Sequence, residues 1–297
     1  ELHARGLSPT PAQLADYAKL PWLAKDLALT VLPSATSLRA LRGIAPPPAR
    51  GAEPLIAFGD PVLGGRGRQR GGSMLAARGA RIALGDLRAL ARLPGTRDEL
   101  MAIARALGAD PGQALSLGDR ATETEVRALN RSSRLGRARV VAFATHGLIG
   151  GELGGLSEPA LVLTPPAVAT EEDDGLLSLT DILELQLTHA EWVVLSACNT
   201  AAADGSGEGL AGLVRAFFFA GAPALLVSHW SVEDRATAAL MTEVFRRHAA
   251  DPSLPRAEAL RQGMLALLAR ARGATAYFAH PFAWAAFFVA GDGGPAR

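Results

Sequence analysis

The 297-residue chain holds one cysteine and two tyrosines, and only two of its thirty cationic residues, Lys19 and Lys25, are lysines. A single cysteine excludes an internal disulfide framework, so nothing in the composition points to an oxidising compartment. The most apolar stretches, around 216–227 and 281–290, are too short to cross a bilayer and are interrupted by Gly, Pro or charge. A net charge of +1 carries no electrostatic commitment to nucleic acid or to an anionic membrane. No His, Asp or Glu cluster has metal-ligand spacing, so neither a metal nor a cofactor is expected. Arginine in place of lysine suggests a GC-rich bacterial genome. No signal peptide opens the chain, and a cytoplasmic location is expected. The first residue is Glu1 with no Met before it, which suggests a fragment with an upstream part missing.

What is present is a regular alternation. Residues 1–53 read as an irregular to helical N-terminal part, and 54–297 as the core of one domain. "LIAFGDP", "ARVVAFATHG" (138–147), "PALVLTP", "EWVVLSAC", "APALLVSHW" and "AWAAFFVAG" read as apolar strands. Between them, "GTRDELMAIARALG", "TETEVRALNR", "SLTDILELQL" with Ser178 as its cap, "GLAGLVRAFFFAG" and segments near 235–249 and 256–272 have helical periodicity. This order predicts an α/β fold with a mostly parallel central sheet and helices on both faces. The segment "GGRGRQRGGS" (64–73) reads as a solvated loop. It has no phosphate-binding spacing, so a nucleotide site is not expected.

Functional groups of such sheets gather at the carboxyl ends of the strands. Three strands end in residues capable of chemistry: His146, Cys198 and the segment Ser228–Trp230. A thiol nucleophile needs a neighbouring base and partial exposure, and His146 lies 52 residues before Cys198, a fitting length for a strand–helix–strand return. Gly147 leaves room for a substrate backbone, and its N–H, with that of Cys198, is a candidate oxyanion hole. The alternative is structural: Cys198 as a small hydrophobe closing a strand, with His146 in a turn. Ser196 is set aside as a nucleophile, because no G-x-S-x-G elbow surrounds it and it is expected to face away from Cys198. His189, His248 and His280 are expected at surface or turn positions, and His229 at a strand end.

The blocks "LIAFGDP", "LPGTRDEL", "VVAFATHG", "DGLLSLTDILEL", "VVLSACNT", "GEGLAGLVRAFFFAGAPALLVSHWSVEDRATAALM" and "HPFAWAAFFVAGD" together resemble a CHAT domain, in order from about residue 28 to 292. The resemblance implies a caspase–hemoglobinase-like fold, related to caspases and separase, and a cysteine peptidase dyad on His146 and Cys198. It also implies a protein substrate and a regulatory module or activator, tetratricopeptide repeats being frequent partners of the family. Residues 64–92 fit the family pattern poorly. The caspase Q-A-C-x-G signature is absent, so Asp specificity is not implied.

The loop "SHWSVED" should wall the cleft. There Trp230 offers a flat apolar surface and Asp234 a carboxylate, which suggests Arg or Lys as the residue before the scissile bond, a preference that separase-like enzymes share. Glu208 is a second acidic candidate. Ser231-x-x-Asp234 is equally a capping box. The rival to a peptidase is a catalytically silent scaffold that binds a peptide or partner protein.

Overall fold

The computed structural model describes residues 10–295 except 33, 45–51, 65–73, 78–79, 94, 152, 171, 199–207 and 231. A capped turn opens it: α1 (Pro11–Asp16), with Thr10 and Gln13 forming a reciprocal capping box. The strand β1 (Thr30–Val31) and helix α2 (Ala35–Ile44) follow. The buried run of "LIAFG" gives β2 (Glu53–Gly59), and a hairpin of β3 (Met74–Ala77) and β4 (Ala80–Ala83) leads to the short α3 (Leu84–Arg88). The helix α4 (Gly95–Ala106) buries Thr96, Glu99, Leu100, Ile103 and Ala104, an i, i+3, i+4, i+7 stripe. Next come α5 (Pro111–Ala114), β5 (Leu115–Leu117), α6 (Glu123–Arg131), capped by Thr122, and α7 (Arg134–Arg137).

The second half starts with β6 (Ala138–Leu148), then β7 (Ala160–Val162), β8 (Leu176–Ser178) and α8 (Leu179–Leu183). Ser178 caps α8 as the sequence predicts, in a reciprocal box with Asp181. The remaining elements are β9 (Trp192–Cys198), α9 (Glu208–Phe219), β10 (Ala224–Ser228), α10 (Asp234–Ala250), α11 (Arg256–Ala269) and β11 (Phe287–Gly291).

The strands order as β1-β11-β10-β9-β6-β2-β5. The pairs β5/β2, β2/β6, β6/β9 and β9/β10 are parallel, and β11 runs antiparallel to β10. Alternation divides the side chains between two cores. Leu55, Val140, Trp192, Val194 and Leu226 face α4, α10 and α11. Ile56, Phe143, Val193, Leu195 and Val227 face α6, α8 and α9. Phe143 anchors the second core, its ring 5.2 Å from Phe58 and 5.8 Å from Phe217. The sheet is therefore mostly parallel with helices on both faces, as the alternation predicts.

Two expectations are corrected. The run at 138–147 does not stop at His-Gly: β6 continues to Leu148, leaving the central sheet to pair antiparallel with β7 through Gly147 and Leu148. Thr145 holds this departure, its buried hydroxyl donating to the Val162 carbonyl. His248 is buried rather than at the surface. Its Nε2 meets Glu191 at 3.0 Å, and Arg139 meets the same carboxylate at 2.7 Å, an arrangement that lets α10 carry a polar ring against the sheet. His189 and His280 occupy turn positions, where the sequence places them. The loop 64–73 falls largely outside the described residues.

Candidate active site

The parallel pairing of β6 with β9 sets His146 opposite Cys198 in register. Both positions have the parity of Val140, Ala142, Trp192 and Val194, so they share the sheet face covered by α4 and α10. They stand near the carboxyl ends of two central strands, with β10 flanking β9 in parallel. Gly147, the next residue of β6, is buried and pairs with Leu161.

The imidazole of His146 is half-buried and oriented by a backbone group: its Nε2 lies 2.7 Å from the Ala91 carbonyl, in the turn before α4. A carbonyl only accepts, so Nε2 carries the proton and the neutral ring keeps Nδ1 as its basic nitrogen. The turn that supplies Ala91 is itself secured. Thr96 Oγ1 donates to the Leu93 carbonyl at 2.7 Å and accepts the Asp60 N–H at 3.0 Å. Asp60 follows β2 with a positive φ of 47° and a buried carboxylate, which receives Arg97 Nε at 2.9 Å and Arg92 at 3.4 Å. The "GDP" block is thus a clamp between β2 and α4, not a phosphate loop.

Trp230 and Asp234 lie on the loop and helix start that follow β10. The Trp230 ring stacks on Phe282 at 5.9 Å, and its indole N–H donates to the Phe282 carbonyl at 3.0 Å. Asp234 is exposed at the first turn of α10 and its carboxylate lies against Gly95, where a Cβ would fall 2.0 Å from Oδ2. Ser231, half of the expected Ser231–Asp234 capping box, lies outside the described residues. The cap is Glu233, whose side chain accepts the Ala236 N–H at 3.0 Å and the Tyr277 hydroxyl at 2.8 Å. Burial, then that bond to Glu233, push the Tyr277 phenol up to about 12. His229 stacks on Phe288 at 4.2 Å, and burial lowers its pKa. Glu208 opens α9, but its side chain lies outside the described residues, as does that of Cys198.

A further participant carries no sequence motif. Glu99, 3% exposed on α4, accepts the Ser196 hydroxyl at 3.0 Å, so Ser196 sits on the α4 face. This overturns the expectation that it faces away from Cys198, since residues two apart in a strand share a side. Burial raises the Glu99 carboxyl to about 8; Ser196 opposes the rise and the charge of Asp234 adds to it. A glutamate on the apolar stripe of an amphipathic helix was the available signal. Among the described residues, no group of His, Cys, Asp and Glu is placed to hold a metal ion, and no helix is long and apolar enough to cross a membrane.

A mostly parallel sheet with paired strand-end His and Cys positions defines a caspase-like α/β domain. The CHAT domain model matches residues 4–292, and the chain belongs to that family, which is related to the caspase and separase cysteine peptidases. Its structure is similar to a chain of the Saccharomyces cerevisiae separase–securin complex, with a TM-score of 0.50 and 15% identity, covering 95% of this chain and 15% of that one. It is also similar to the Arg-specific cysteine proteinase gingipain R, with a TM-score of 0.43 and 13% identity over 82% of this chain and 47% of that one. The complex of Porphyromonas gingivalis RgpB pro- and mature domains gives 0.40 and 11% over 82% and 48%. No curated protein is similar enough to count as a match.

Proposed function

We propose that the chain is a cysteine endopeptidase that cleaves a protein partner through Cys198 and His146. The observation that carries this reading is their in-register placement at the ends of β6 and β9. With Nε2–H held by the Ala91 carbonyl, Nδ1 of His146 takes the Cys198 thiol proton, and the thiolate adds to the scissile carbonyl carbon. The N–H groups of Gly147 and Cys198 receive the oxyanion. As the intermediate collapses, the imidazolium gives its proton to the departing amine, leaving an acyl-enzyme. A water deprotonated by His146 then attacks the thioester carbonyl, and the released thiol regains its proton.

The residue before the scissile bond is Arg or Lys, with Asp234 receiving its charge, Trp230 walling its stem and Glu208 as a second acidic group. Cleavage is gated by a regulatory module or activator such as tetratricopeptide repeats, in a cytoplasmic, bacterial setting. Neither nucleic acid nor membrane is a direct partner.

A peptide electrophile ending in Arg tests the reading. Incubated with the chain, alone and joined to its regulatory module, it should modify Cys198 as located by mass spectrometry, and more rapidly in the joined form. Absence of the adduct in both forms would overturn the peptidase reading. Equal, high rates in both would overturn the gating.

A further inference from the structure

Glu99 has two differently placed carboxyl oxygens. Oε2 accepts from Ser196 Oγ at 3.0 Å, while Oε1 is buried with no hydrogen-bond partner among the described residues. A buried acceptor left unpaired costs free energy. Beside a candidate active site, it points to a group the site holds only part of the time.

Asp234 stands at the other end of the same feature. Its carboxylate rests on Gly95, which admits it by lacking a Cβ. Gly95 and Glu99 are four residues apart in α4 and so share one face of the helix, about 6 Å apart. The Asp234 carboxylate therefore lies one helical turn from the backbone position of Glu99, exposed at the rim, while Glu99 is buried. Ser196 ties Glu99 to β9 two residues before Cys198.

We propose that Asp234 and Glu99 form one two-carboxyl subsite for an arginine side chain, Asp234 meeting the guanidinium at the rim and Glu99 Oε1 accepting from its tip. The proposal deepens the peptidase reading above and rests on it. A planar guanidinium carries five donors in a fixed fork and can serve two acceptors at different depths. The lysine ammonium is a compact point charge that one carboxylate satisfies. Ser196, which bonds Oε2, is half-buried, while Oε1 itself is fully buried. The groups that bear on Glu99 are Asp234 from α10 and Ser196 from β9. At neutral pH Glu99 is a protonated acid, and the arriving cation favours its ionised form. Arginine binding is then coupled to release of one proton from Glu99 to solvent.

Calorimetry of the chain with Nα-acetyl-arginine amide and Nα-acetyl-lysine amide, in buffers of different ionisation enthalpy, tests this without requiring cleavage. At pH 7 the arginine ligand should bind about ten-fold tighter and release a proton, and the lysine ligand should not. Glu99→Gln should abolish the release and bring arginine affinity down to that of lysine. In the unmodified chain the release should vanish at pH 9.5, a check that needs no variant to fold. Equal affinities, no binding of either ligand, or a proton release unchanged by pH or by Glu99→Gln would overturn the subsite. Arginine binding with these properties but no cleavage would instead refute the peptidase reading alone.

Discussion

His146 and Cys198 stand Cα opposite Cα on adjacent parallel strands, on one face of the sheet. Neighbouring strands lie about 4.8 Å apart, so the two backbone positions are close neighbours. Cys198→Ala and His146→Ala should each abolish peptide cleavage, and the double variant should be no worse than either single one, because the two act as a unit. Both variants should keep the thermal midpoint of the unmodified chain within a few degrees. Cleavage by Cys198→Ala at a comparable rate would refute the dyad.

The Ala91 carbonyl makes a second, spectroscopic prediction. Nitrogen-15 NMR of the neutral imidazole should show His146 protonated at Nε2 and bare at Nδ1. The opposite tautomer would mean that Ala91 does not orient the base.

Glu233 and Asp234 are adjacent and should separate cleanly. Glu233 caps α10, so Glu233→Ala should cost about 1 kcal/mol in denaturant unfolding, with the P1 profile unchanged. Asp234→Asn should leave stability within about 0.5 kcal/mol and sharply reduce cleavage after Arg or Lys. A peptide-library profile favouring Asp or a small apolar residue in the unmodified chain would refute the assignment of Asp234.

Glu99 predicts an unusual pH dependence of stability. Its folded-state pKa, about 8, lies above the ordinary 4.5, so the unfolded chain gives up this proton first as pH rises. The folded state is therefore penalised progressively from about pH 4.5 upward, and the penalty levels off above about pH 8. Glu99→Gln keeps a partner for Ser196 without the ionisation. It should stabilise the chain by on the order of 3 kcal/mol at pH 7 and make little difference at pH 4, read from urea midpoints. No gain at pH 7 would show that Glu99 is already ionised in the folded chain.

At the far end of the sheet, Glu191 is 5% exposed and shared by Arg139 and His248. Burial would raise its pKa, but the bonds from His248 and Arg139 outweigh that and hold it low. Glu191→Ala removes the shared acceptor of Arg139 and the buried His248 and should cost about 3 kcal/mol at pH 7. For the unmodified chain, the contribution of this group should fade as pH drops through its lowered folded-state value.

The placement of the candidate residues was legible because apolar periodicity marks where strands end, and the chemistry-bearing residues near the carboxyl ends of β6, β9 and β10 fall on one rim. The participants that were missed each lack a local signature. Ala91 acts through a backbone carbonyl, which no residue type announces. Glu99 looks like one more acid near a helix start until burial distinguishes it. Asp60 earns its place through Arg92 and Arg97, more than thirty residues away. Strand direction was equally hidden, since "AWAAFFVAG" reads the same whether β11 runs with or against β10. The three-residue β5 carries too few apolar positions to register as a period. His248 was misplaced because two arginines precede it, although α10 exposes Arg246 and only half-buries Arg247 while the imidazole points in.

The path of β6 joins two sheets. Its first part is bonded into the central sheet, and its last two residues into the narrow β7–β8 ribbon, so His146 occupies the seam where one strand passes between two sheets. The backbone of His146 is thus paired with Cys198 of β9, while that of the very next residue is paired with Leu161 of β7.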